Sequence, residues 1–130
     1  MLQLSIFLEN AKGRLADVLG LLAELNVNLR ALSLADTKDY GVLRIIVDEP
    51  EVTTEKLRER KVVVSLTPVW VLKVPDRAGG LADVLTQLVK QDVIVEYMYA
   101  FVEKEHHEAQ VVLRVQDEAI MEKAMEALNL

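Results

Sequence analysis

The chain has 130 residues, of which 52% are apolar and 28% charged, and this balance favours a packed globular core over disorder. Its net charge is −6 and no stripe of Lys and Arg with interleaved aromatics is present, so nucleic acids and anionic membranes are poor partners. Without cysteine the chain has no disulfides, thiolate metal sites or cysteine nucleophiles, and a reducing cytoplasm is the expected location.

The first element is a predicted strand. Leu2, Leu4, Ile6 and Leu8 alternate with the intervening residues, which is the period of a strand with one favoured face. A signal peptide would instead show a basic start and a long apolar run. No apolar run in the chain approaches the roughly 20 residues that cross a bilayer, so we expect a soluble protein.

A helix and a hairpin are predicted next. Apolar residues recur at helical spacing through RLADVLGLLAEL, which follows a short loop from Glu9 to Gly13. A second strand is predicted over residues 27–35 and a third over 41–47, with a polar turn between them. These two strands should pair as an antiparallel hairpin.

A second helix and a fourth strand complete this half of the chain. Pro50 suits the first turn of a helix, EVTTEKLRER continues it to just before Lys61, and VVVSL supplies β-branched residues for the strand. The order β-α-β-β-α-β predicts an α+β, ferredoxin-like domain, an antiparallel sheet with both helices on one face. RNA readers of this fold need stacking aromatics on the two central strands and a basic surface, and here those strands read LQLSIFL and GVLRIIV in an acidic chain. Small metal carriers of this fold need a CxxC, and this chain has no cysteine.

The chain contains an internal repeat. Residues 13–19 read GRLADVL and residues 79–85 read GGLADVL, 66 positions later. The same offset pairs Leu22 with Leu88. We therefore predict two tandem copies of one small domain, residues 1–67 and 68–130.

The second copy is predicted to lack the last strand. Its elements are a strand over 69–74, a helix over 80–91, strands over 93–102 and 109–115, and a helix over 117–128. The pair Leu43-Arg44 matches Leu113-Arg114 at an offset of 70, which predicts a second hairpin tip about four residues longer. The absent strand would leave an unpaired edge in the second sheet, and this edge predicts a homodimer.

The turn before each first helix carries the candidate chemistry, ENAKGRLADVL in one copy and PDRAGGLADVL in the other. A helix N-terminus has unpaired N–H groups and a partial positive charge that attract a carboxylate. Gly13 or Gly79 permits positive φ and close approach of a ligand. Asn10 or Asp76 adds an oxygen that can cap the helix or accept from an ammonium group. Such a turn matches both charged groups of a free α-amino acid.

At these turns the chain resembles the ACT domain family, whose signature is an Asp or Asn, two variable residues, a Gly, and an apolar residue opening the helix. The second turn fits closely, and the first lacks only the preceding Pro. The segments VNLRALSLADTKDYGVLRIIVD and VIVEYMYAF are also similar to the hairpin of that family. The resemblance implies two tandem ACT domains in an allosteric, regulatory protein that is not an enzyme.

The resemblance further implies a free amino acid as ligand, seated between two domains of one chain or of two chains. It implies no metal and no cofactor, and it makes a regulated enzyme a candidate partner. The predicted ligand-binding residues are Asn10, Ala11, Lys12, Gly13, Arg14, Leu15, Asp76, Arg77, Ala78, Gly79, Gly80 and Leu81.

Alternative interpretations remain at this stage. The same turns are ordinary capping chemistry, so the chain could be an interaction module without a ligand. The hairpin tip from Glu103 to Glu108 contains His106 and His107, which would suit a metal site, although an exposed solvated loop is the more ordinary interpretation. The chain has no nucleophile elbow, P-loop or HExxH motif, which argues against a small ferredoxin-like enzyme.

Overall fold

A computed structural model describes residues 1–36, 39–103 and 107–130. The chain divides into two compact units, one formed by Leu2–Pro68 and the other by Val69–Leu130 together with Met1. No helix of the described residues is both long enough and apolar enough to cross a membrane.

The first unit has the order β-α-β-β-α-β. Its elements are β1 (Leu2–Glu9), α1 (Arg14–Glu24), β2 (Ala31–Asp36), β3 (Tyr40–Ile46), α2 (Pro50–Glu59) and β4 (Val64–Pro68). The four strands form one antiparallel sheet in the order β2-β3-β1-β4. β1 therefore lies between β3 and β4, so the turn at its end is flanked by both.

Alternation along β1 determines which face of the sheet the helices cover. Leu4 and Ile6 are fully buried in one cluster with Leu22 of α1 and Leu57 of α2, so both helices pack on the face that carries these leucine and isoleucine side chains. Pro50 lies in the first turn of α2, where a missing N–H costs no helical hydrogen bond. The ferredoxin-like arrangement predicted for this half is confirmed.

The second unit repeats this order without a final strand. Its elements are β5 (Trp70–Pro75), α3 (Gly80–Lys90), β6 (Val95–Ala100), β7 (Glu108–Val115) and α4 (Glu118–Leu128). The three strands pair antiparallel in the order β5-β7-β6. Leu72, Val84, Leu88 and Leu113 belong to its core, which also contains Met121 of α4. The predicted second copy that ends as β-α-β-β-α is confirmed.

The hairpin alignment differs from the sequence-based expectation. Leu8 pairs with Gly41 in the first unit, and its equivalent Val74 pairs with Ala109, so the third strands match at an offset of 68. The second tip is therefore two residues longer, and the predicted four was wrong. The match of Leu43-Arg44 to Leu113-Arg114 misled because a shift of two residues keeps every side chain on the same face of a strand.

The strand that follows each first helix is shorter than predicted. The expected strands over 27–35 and 93–102 begin in the structure at Ala31 and Val95. Two residues beyond the last residue of each helix lies a residue with positive φ, Asn26 or Asp92, and a short irregular segment follows. Apolar residues in that segment pack on the cores, which explains why their pattern resembled a strand.

Candidate functional site

The first strand–helix turn has a defined backbone conformation. Gly13 precedes α1 in the left-handed region, with φ of 84°. Ala11 donates its backbone N–H to the Glu9 carbonyl at 2.8 Å, and Arg14 donates to the Ala11 carbonyl at 3.2 Å. The N-cap position thus belongs to a glycine, which has no side chain with which to cap the helix.

The second turn repeats this conformation 66 residues later. Gly79 has φ of 83°, Arg77 donates to the Pro75 carbonyl at 2.9 Å, and Gly80 donates to the Arg77 carbonyl at 3.0 Å. Sterics require glycine at position 80, because a Cβ at Gly80 would collide with the backbone oxygen of Pro75. The two turns are the same structural motif, built twice.

Both turns are tied to the neighbouring hairpin. The backbone N–H of Asn10 donates to the Asp39 carbonyl at 3.2 Å, and that of Asp76 donates to the His107 carbonyl at 2.7 Å. These bonds continue the β1–β3 and β5–β7 ladders beyond the last strand residues. Each turn is therefore held beside the hairpin of its own unit.

A small cavity of about 80 Å³ opens at the first turn. Four of the predicted site residues line it, namely Asn10, Ala11, Arg14 and Leu15. Lys12 and Gly13 are exposed and are not part of the lining. The loop selected from the sequence thus borders a cavity to which only part of the loop contributes, and ligand binding by this loop stays a prediction.

Sequence reasoning missed the remaining lining residues. Leu8 and Glu9 come from the end of β1, Leu34 and Asp36 from β2, and Gly41 from β3. The polar stretch that begins at Asp36 was interpreted only as a turn. Its position beside Asn10 follows from the pairing of β1 with β3, and that pairing is a long-range contact which no local pattern reveals.

The chemistry of this cavity is mixed. Arg14 contributes a guanidinium, Glu9 and Asp36 contribute carboxylates, and Asn10 contributes an amide. An α-helix leaves its first N–H groups without partners in the helix itself, and at α1 the Arg14 N–H is bonded to the Ala11 carbonyl of the turn. Donors for a carboxylate and acceptors for an ammonium group therefore occur together, with Leu34 as an apolar neighbour that is 48% exposed.

The second turn is covered by one of its own side chains. The Arg77 guanidinium bonds Asp83 of α3 at 3.0 Å and also donates to the Ala78 carbonyl at 3.2 Å. The same guanidinium lies 3.8 Å from the place where a Cβ of Gly79 would be. At Gly13, by contrast, no atom of the residues that the structure describes lies within 4 Å of that place. Within this part of the chain, the space beside Gly13 is open, whereas the Arg77 guanidinium covers the equivalent space beside Gly79.

The other sequence-based candidates gain no support. Among the residues that the structure describes, no group of three or more His, Asp or Glu is arranged to hold a metal ion. Glu105 and His106 of the hairpin tip lie outside the described residues. Asp117 caps α4 by accepting from the Ile120 N–H at 3.1 Å, so ordinary side-chain capping occurs in this chain at a helix unrelated to the turns.

Comparison with known proteins identifies the architecture. A family described as an ACT domain pair matches residues 1–128. The chain belongs to the ACT domain pair family. The resemblance first drawn from the two turns is therefore confirmed over almost the whole chain. No curated protein sequence matches it significantly.

Solved structures show the same fold. Protein BT0572 from Bacteroides thetaiotaomicron is 40% identical, with a TM-score of 0.87, and the match covers 98% of this chain and 85% of that one. The regulatory subunit of aspartate kinase from Thermus thermophilus is 14% identical, with a TM-score of 0.65, over 97% and 91% of the two chains. Aspartate kinase from Clostridium acetobutylicum is 17% identical, with a TM-score of 0.57, over 95% of this ACT domain pair and 31% of that enzyme.

Proposed function

We propose that this ACT domain pair is a cytoplasmic regulatory protein that binds a free amino acid at its strand–helix turns and acts as a sensor without catalytic activity. The observation that carries the proposal is the cavity at the first turn, which the Arg14 guanidinium lines together with the carboxylates of Glu9 and Asp36. A zwitterion offers an opposite charge to each kind of group. The regulatory subunit and the allosteric enzyme with the same fold support a role in regulating an enzyme.

The site is proposed to be completed by a second chain. A cavity of about 80 Å³ is small even for an amino acid, since ligand pockets commonly reach about 300 Å³ or more. Leu34 lines this cavity and yet is 48% exposed, so apolar surface remains at its rim. An adjoining domain that covers this rim would enclose the ligand, and ligand binding would then favour the assembled state.

The first turn is proposed as the stronger site. No described residue fills the space beside Gly13, whereas the Arg77–Asp83 pair lies over the second turn. This covering supports, for the second turn only, the alternative of an interaction module without a ligand. Because the pair is exposed, it contributes little to stability and can be removed without damage to the fold.

A thermal-shift screen of the common amino acids tests the proposal. A ligand at a hundredfold excess over its Kd stabilises the folded chain by about 2.7 kcal/mol, a readily measured rise in Tm. Asn10→Ala should remove most of that shift, and Asp76→Ala, the matched change in the second turn, should leave it nearly intact. An absence of stabilisation by every amino acid would favour the module, and loss through Asp76→Ala alone would reverse the assignment of the turns.

A further inference from the structure

A larger cleft lies on the other side of β1. It measures about 450 Å³ and is bounded by the end of β1, by α1, and by residues 60–63 that connect α2 to β4. Since β1 has β3 on one side and β4 on the other, this cleft and the cavity at the first turn flank the same strand end from opposite sides. They share Leu8, Glu9 and Arg14 and are otherwise lined by different residues.

The walls of the cleft are largely aliphatic. Val18 and Leu21 of α1 face Val62 across it, and all three are half-buried. Phe7 and Val63 lie at the mouth, 44% and 65% exposed, with the Phe7 N–H donating to the Val63 carbonyl at 2.9 Å. A volume near 450 Å³ is within the range of small-molecule pockets.

The rim of the cleft has an excess of positive charge. Arg14, Arg60 and Lys61 contribute three cations, and Glu9 and Asp17 contribute two carboxylates. This local excess occurs in a chain whose net charge is −6. Arg60 bridges to Glu24 at 3.7 Å, but both side chains are more than half exposed, so that pair holds the guanidinium only weakly.

The internal repeat shows that the fold does not need two of these cations. The end of α4 matches the end of α2, since Leu57, Arg58 and Lys61 correspond to Met125, Glu126 and Asn129 in the backbone bonds that close each helix. Lys61 has φ of 64° and Asn129 has φ of 54°. Arg60 corresponds to Leu128, so the same helix end forms in the second copy without either cation.

We propose that this cleft is a second binding site, on the opposite side of β1 from the amino-acid site, for a small aliphatic carboxylate. The carboxylate would accept charge-assisted hydrogen bonds from Arg60 and Lys61, and the aliphatic part would bury against Val18, Leu21 and Val62. The ligand needs no ammonium group, which separates it from the zwitterion assigned to the turn.

Titration with 4-methylpentanoate, followed by the backbone amide signals in ¹⁵N-labelled protein, tests this inference. The expected result is saturable shifts at Val18, Leu21 and residues 60–63, and no such shifts with the uncharged 4-methylpentanamide. The double variant Arg60→Leu and Lys61→Asn, which introduces the residues of the second copy, should raise the Kd by roughly tenfold or more through loss of charge-assisted contacts.

A matched control removes two exposed cations elsewhere. Lys90→Ala with Lys123→Ala changes the net charge by the same amount and should leave the Kd unchanged. No saturable shift in the wild-type chain, equal binding of the amide, or an unchanged Kd in the Arg60 and Lys61 double variant would each overturn the proposal. Amino-acid binding at the turn is measured separately, by thermal shift in the wild type and in Asn10→Ala, so failure of one site leaves the other interpretable.

Discussion

The glycines of the two strand–helix turns are required for different physical reasons at neighbouring positions. Gly13 and Gly79 occupy left-handed conformations, which disfavour any side chain, while Gly80 is required by the close approach of α3 to Pro75. Arg14 occupies the position in the first turn that is equivalent to Gly80, so the first turn accommodates a Cβ at this position. Sequence reasoning assigned all of these residues to ligand binding, and the structure adds a packing role for Gly80.

We predict that Gly80→Ala destabilises the chain more than Gly13→Ala. The Gly80 Cβ would meet a backbone oxygen that cannot move without shifting the strand, an overpacking cost of about 3 kcal/mol. The Gly13 Cβ meets no atom of the described residues, so its cost is that of the left-handed backbone, about 1–2 kcal/mol. Urea denaturation of both variants measures the difference. Gly13→Asn is the control and should cost less stability than Gly13→Ala, because Asn tolerates this conformation. A larger loss of stability in Gly13→Ala than in Gly80→Ala would contradict the prediction.

At the scale of the element, the first helix of each unit carries an equivalent leucine that is buried in the core of that unit. Leu22 of α1 and Leu88 of α3 are each 1% exposed and belong to the cores of their units. Gly20 lies on the exposed side of α1, and a Cβ added to it would have no atom of the described residues within 4 Å. The two sides of the same helix therefore respond differently to alanine.

We expect Leu22→Ala and Leu88→Ala each to lower the free energy of unfolding by about 2–5 kcal/mol, because both leave a cavity in a packed core. Gly20→Ala should raise it by about 0.5–1 kcal/mol, since alanine loses less conformational freedom in a helix interior. Thermal and urea unfolding give the values. A loss of stability in Gly20→Ala would mean that this side of α1 is covered in solution.

At the scale of the whole molecule, β5 is an edge strand of its sheet. The backbone N–H of Asp76, just beyond β5, donates toward β7. Backbone N–H groups alternate in direction along a strand, so the N–H of Val71 points away from β7. An edge of this kind is a template for pairing with another chain. The predicted homodimer therefore has a specific strand through which it would form.

Sedimentation velocity at micromolar concentration tests this assembly. The wild-type chain is expected to be a dimer, and Val71→Pro should shift it toward monomer, because proline removes an N–H from the edge while remaining tolerated there. Val71→Thr keeps both the N–H and the β-branched shape and is expected to remain dimeric. A wild-type monomer, or a Val71→Pro dimer of unchanged strength, would rule out β5 as the interface.

Local patterns in the sequence determined most of this architecture. Alternation along β1, helical spacing in RLADVLGLLAEL and the repeated GxLADVL segment predicted the order of elements, the tandem copies and the loop of the candidate site, because each depends on neighbouring residues only. Tertiary structure decided what depends on distant pairing. The β1–β3 and β2–β3 registers brought Gly41 and Asp36 to the first turn, and the order of β3, β1 and β4 created a cleft on the far side. Those contacts are set by how side chains and strands meet in three dimensions, so no local periodicity specifies them.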